Sequence, residues 1–272
     1  VYPGISAGVV YWHNIYNIRH NPIYMKFICS ISFCLLLVFH ALAQDDKINS
    51  DQPDQSTGAS IVAQKNLQWE SSFYVNRFTG EGTAVISSNM VRYGISKKLE
   101  ARLHVEQGYH RDLYLKEAAH GNAPLAIGAK YAMVEEKKIM PAISLAGWIQ
   151  LPVTNFNDEP SLWSPTVLLI AEKKLHDVTL TVNTGIKEAV FEHEWEYQST
   201  ADVKYELNEA VSVFTEYFAQ FASHEEPLHN LDGGVLFSPG KKVQFHLSAG
   251  TSIFHQPSNY FVTMGFAFMF GL

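Results

Sequence analysis

The sequence predicts an all-β protein: a closed up-and-down antiparallel transmembrane β-barrel of about 12 strands. Three observations predict it. Apolar and polar residues alternate with period two from Leu67 to the carboxyl terminus, with no sustained helical stripe. The connections between alternating runs take turns in length, long then short. The last run, "NYFVTMGFAFMFGL", carries large apolar side chains at every second place with no charge among them. A soluble sheet buries such a face against helices or a second sheet, and nothing follows here to cover it, so a lipid bilayer is the expected cover.

The amino-terminal region reads in three parts. Residues 25–43, "MKFICSISFCLLLVFHALA", combine a Lys26 start, an apolar run over 27–39 and a small-x-small ending, the pattern of a secretory signal peptide. The run is short of the ~20 apolar residues that a membrane-spanning helix needs. Residues 1–24 fit no export pattern and are expected to be an upstream, non-native extension. Both cysteines, Cys29 and Cys34, lie in the signal, so the barrel is expected to lack disulfides. Residues 44–65, which include "DDKINSDQPDQSTG", are polar and read as a flexible periplasmic tail.

Residues 66–272 hold the barrel. Strands are expected near 67–78, 85–95, 100–110, 124–134, 139–151, 163–173, 178–187, 194–207, 210–221, 229–238, 242–253 and 259–271. Most approach the ~9–11 residues with which a tilted strand crosses a bilayer. The parity is clear in the later ones. Val178, Leu180, Val182 and Ile186 alternate with Thr179, Thr181, Asn183 and Lys187. Trp195, Tyr197, Val203 and Tyr205 alternate with Glu196, Gln198, Asp202 and Lys204, and Phe245 and Leu247 with Gln244, His246 and Ser248. Short links ("SKKL", "EEKK", "KLHD", "NE", "GKK") alternate with long ones, as a barrel with both ends on one side of the membrane requires.

Hydrocarbon cannot satisfy backbone N–H and C=O groups, so strands span it only as a closed sheet with an apolar exterior. The expected lumen-lining set is Arg92, Arg102, His104, Glu106, Lys130, Lys187, Glu196, Lys204, Glu216 and His246. Both signs are present and can pair across the interior. Tyr93, Tyr109, Trp163, Trp195, Tyr205, Phe237 and Tyr260 fall near strand ends, where rings suit the membrane–water interface. Leu168 and Ile170 are the exception to a polar interior, and packing against a plug is the favoured account of them over a greasy solute patch. The terminal strand, rich in alternating aromatics, resembles the signal that outer-membrane barrels present to their insertion machinery. Location in the outer membrane of a Gram-negative-type bacterium follows, with its lipids as the surrounding partner.

The signal peptide, the opening strand "LQWESSFYVNRF", the turn "YGISKKLEARL", the core "IMPAISLAGWIQLP" and the ending "GFAFMFG" together resemble the outer-membrane family known as "MetA-pathway of phenol degradation". That resemblance implies a channel or transporter for a small solute. Its motifs mark strands and turns, so no binding residues carry over and no substrate is implied.

The net charge of −7 gives no basic excess for nucleic acid. No cofactor is expected. Histidines gather in the long connections, and His193, His224 and His229 with neighbouring glutamates are the candidates for a metal, but no H-E-x-x-H spacing joins them. Solvated loop histidines are the expected case. No catalytic residues are assigned. The rival reading is a phospholipase-like barrel using His255 and Ser258 of "HQPSNY", which lack an orienting third group at this spacing. A sealed structural or adhesive barrel is the other alternative.

Overall fold

The computed structural model describes residues 47–51, 55–78, 82–112, 118–122, 125–152, 155–156, 159–160, 162–189, 194–223, 226–254 and 259–271. Twelve staves build the wall: β1 (Asn66–Phe78), β2 (Gly82–Gly94), β3 (Leu99–Asp112), β4 (Ala126–Val134), β5 (Ala142–Gln150) and β6 (Ser164–Leu175), then β7 (Val178–Glu188), β8 (Trp195–Glu206), β9 (Val211–Ala222), β10 (Leu228–Gly240), β11 (Val243–Ile253) and β12 (Asn259–Gly271). Each pairs antiparallel with its sequence neighbours, and β12 pairs with β1 from Asn66↔Gly271 to Phe78↔Asn259. That seam closes the sheet and leaves no stave with an open edge. Ala118–Asn122 adds a short ladder to the long-loop end of β3.

The staves fall within a few residues of the expected positions. β6 runs two residues further than its alternation suggested, so the link to β7 is a two-residue turn, His176–Asp177, with His176 in the left-handed region at φ 57°. The expected extension, 1–24, and signal, 25–43, lie outside the described residues.

The wall is apolar outside and polar inside. Phe73, Val75, Leu103, Val182, Val203, Phe245, Leu247 and Met264 are exposed, whereas Arg92, Glu100, Lys130, Asn183 and Glu216 are buried. Exposed rings mark both ends of this band. Tyr93, Tyr205 and Phe237 lie near the short turns, and Trp163, Trp195 and Tyr260 near the long loops. The side chain of Tyr109 is outside the described set.

One expectation is corrected. Residues 44–65 were expected to form a flexible tail, yet the described parts, residues 47–51 and 55–65, lie in the lumen as a strap. Ile48, Asp51, Ser56, Thr57, Ala59 and Val62 are buried. Ile48 N–H donates to the Lys241 carbonyl at the short-turn end (2.7 Å), and Lys65 N–H to the Gly94 carbonyl (2.8 Å) as the chain enters β1. The strap is polar because its surroundings are polar, so low hydrophobicity here signals a charged container and not disorder. Two apolar contacts fix it. Ala59 packs on Ala146, Leu168 and Ile170, which is the expected packing of the greasy patch against a plug, and Ile48 packs on Ala267 and Met269.

Candidate functional site

The lumen and its strap form the candidate site. On the β1–β4 side, inward parity brings Glu70, Arg92, Glu100, Arg102 and Lys130 together, and the strap adds Asp51. Arg92 lies 2.8 Å from Glu70 and 3.0 Å from Glu100, and Arg102 lies 2.7 Å from Glu100. Asp51 reaches Arg102 at 2.5 Å, Arg92 at 3.5 Å and Lys130 at 3.6 Å. Three acids thus meet three bases in a fully buried cluster. Buried charge is tolerated only when paired and hydrogen-bonded, and the strap supplies the third anion. Burial works to raise the Asp51 carboxyl, but the charges of Arg92, Lys130 and Arg102 outweigh it and hold the group below its ordinary value.

Wall side chains then grip the strap by its main chain. The Glu70 carboxylate accepts from Asp51 N–H (3.0 Å), and Glu100 from Val62 N–H (2.7 Å). Lys130 donates to the Gly58 carbonyl (2.8 Å) and Ser144 to that of Ala59 (2.5 Å). Within five residues of Asp51 the chain reaches the far wall. There Glu216 on β9 accepts from Gln55 N–H (2.8 Å) and Ser56 N–H (2.6 Å). Asn183 on β7 accepts from Thr57 N–H (2.6 Å) and donates back to its carbonyl (3.0 Å), as another peptide unit would. Beside this crossing lies a small cavity of about 30 Å³, lined by Gln55, Leu168, Asn183, Gln198, Phe218 and Gln220 among others.

The remaining residues of the expected lumen set sit as follows. His104 bonds Ser88 (2.8 Å) and lies 3.4 Å from Glu106. Lys187 and Glu196 face each other across β7 and β8 at 2.8 Å. Lys204 shares the inner face of β8 with Asp202. His246 is buried with Nε2 2.9 Å from Ser72, and its Nδ1 has no hydrogen-bond partner. His193 and His224 lie outside the described residues, as do His255 and Ser258. His229 bonds the Tyr217 hydroxyl (2.6 Å) on the outward side of the wall, beside Phe221 and Phe254. Among the described residues no trio of His, Cys, Asp or Glu is placed to hold a metal ion.

Sequence reasoning missed Asp51 and the main-chain grips at Glu70, Glu100, Ser144 and Asn183. Glu70 and Glu100 share the inward parity of Arg92 and Arg102, so the wall cluster was readable in principle. Its partner in the strap was not, because nothing in a polar segment announces where it docks.

A closed antiparallel cylinder, greasy outside and charged inside, defines an outer-membrane β-barrel. The chain belongs to the family described as "Putative MetA-pathway of phenol degradation", whose model matches residues 50–270 and so includes most of the strap. No curated protein matches the sequence. The fold is similar to the COG4313 outer membrane channel from Pseudomonas putida F1, with TM-score 0.60 and 9% identity over 82% of this chain and 100% of that one. It is also similar to the NanC porin (TM-score 0.52, 9% identity, 73% of this chain and 98% of that one). The translocator domain of the autotransporter NalP from Neisseria meningitidis is a third (TM-score 0.51, 10% identity, 75% and 87%).

Proposed function

We propose that this barrel is an outer-membrane channel through which a small solute diffuses passively once the strap yields. The observation that carries the reading is how the strap is held. Its bonds in the lumen run to side chains of the wall, so it can leave without breaking a rung of the barrel ladder. The similar fold of an outer membrane channel from Pseudomonas putida F1 supports this reading. In the same reading, residues 25–43 direct export. The terminal strand β12 engages the insertion machinery. No catalysis is assigned.

Purified protein in planar lipid bilayers tests the reading. Discrete current steps are expected, more frequent when Asp51→Asn weakens the strap's anchor. A lumen sealed at all voltages in both proteins would leave a structural or adhesive barrel instead.

A further inference from the structure

On a wall of 12 staves, those six apart face each other, so β9 stands opposite β3. The wall facing the Arg92, Arg102 and Lys130 cluster is acidic. Asp202 on β8 pairs in register with Glu216 on β9, and Glu216 with Asp232 on β10, giving three inward carboxylates side by side. Directly opposed like charges destabilise a sheet unless something positive lies between them. No ion pair within 4.0 Å joins any of the three to a base among the described residues. Lys204, two residues along from Asp202, makes no such pair.

Three further observations say what the strip accepts. Its central member, Glu216, already takes two N–H donors from the strap. Its flanking acids each keep one unsatisfied oxygen: among the described residues Asp202 Oδ1 and Asp232 Oδ1 have no hydrogen-bond partner, and neither do Asn230 Oδ1, two residues from Asp232 on the same face of β10, and Ser248 Oγ on the adjoining β11, both more than nine-tenths buried. Aromatic rings border the strip. Phe218 and Phe261 have centroids 5.8 Å apart, and the Phe261 ring covers Gly250, the residue opposite Asp232, so closely that a Cβ there would stand 2.3 Å from it.

We propose that Asp202, Glu216 and Asp232 form a binding strip for small organic ammonium ions on the lumen wall. Carboxylates on adjacent strands spread over roughly 10 Å, which suits spaced amines and does not enclose a metal ion. Ammonium groups also gain from the faces of neighbouring rings. The route to the strip rests on the channel reading above, but binding to it does not.

Calorimetric titration of the folded full chain with spermidine and putrescine tests the strip, with heat-modifiable gel migration confirming that each variant is folded. Saturable binding is expected in the unaltered protein, weakened at least tenfold in the Asp202→Asn/Asp232→Asn double variant and unchanged in Glu136→Gln at a distant turn. These amide replacements are isosteric and remove unpaired charge, so folding is expected to survive them. Absence of saturable amine binding, equal binding in the double variant, or displacement of the amine by equimolar magnesium would each overturn the proposal. Current steps in bilayers without amine binding would sink the strip and leave the channel reading standing, and binding without current would do the reverse.

Discussion

The Oδ2 of Asp51 lies 2.5 Å from Nη2 of Arg102, although the two residues are 51 apart in sequence and one belongs to the strap and the other to the wall. This contact completes the balance of a buried cluster in which Arg92, Arg102 and Lys130 face Glu70 and Glu100.

Asp51→Asn leaves one positive charge uncompensated in that cluster. Removing one partner of a buried pair costs about 3–5 kcal/mol, and undocking the strap is an easier response than unfolding the barrel. Cleavage by trypsin near Lys47 or Lys65 is expected to become much faster in the variant, with the barrel band retained on a gel. Equal cleavage rates would remove Asp51 from its anchoring role.

The same contact sets a pH dependence. The docked strap holds the Asp51 carboxyl below its ordinary value, so docking is stabilised above the free carboxylate's pKa of about 3.9. That contribution fades as pH falls through the lowered value of the docked state. Strap protection from protease is expected to be flat from neutral pH down to mildly acidic conditions and to fail only below the ordinary carboxylate range. The check is a pulse of an acid-stable protease across that range, and loss of protection near neutrality would contradict the assignment.

Gly94 lies where the strap crosses the end of β2. A Cβ there would stand 2.2 Å from the Ala63 carbonyl oxygen and 2.4 Å from that of Val62. Gly94→Ala is expected to push the strap's last turn away from the wall and raise its protease sensitivity, with little change in barrel stability. Hydrogen exchange at Lys65 N–H, now bonded to the Gly94 carbonyl, reports the same event directly.

The strand parity was legible because lipid imposes it on every stave, and Leu168 and Ile170 even betrayed a plug by breaking the polar interior. The strap itself was not legible. Its composition is that of an unfolded tail, and what orders it is a set of wall carboxylates, amides and bases that fold far away in sequence. His176 was likewise read as part of a longer link, since alternation cannot reveal a left-handed residue that tightens a turn.

That turn offers a separate test. His176 occupies the left-handed region at φ 57°, where glycine avoids the Cβ clash. His176→Gly is expected to stabilise the β6–β7 hairpin by roughly 0.5–1 kcal/mol, read as a higher denaturant midpoint. A lower midpoint would contradict the turn geometry.

On the lipid side, Val182 is exposed near the middle of β7. Val182→Arg is expected to cost about 2–4 kcal/mol in bilayer-refolded protein, measured by reversible denaturant titration.

The most direct measurement is a cysteine scan of β11, since the barrel has no native cysteine. Single cysteines at positions 244–248, each carrying an environment-sensitive fluorophore, are exposed to lipids bearing a quencher. Quenching is expected at Phe245 and Leu247 and its absence at Gln244, His246 and Ser248. The opposite alternation, or none, would mean that lipid does not touch this face and would contradict the barrel as described.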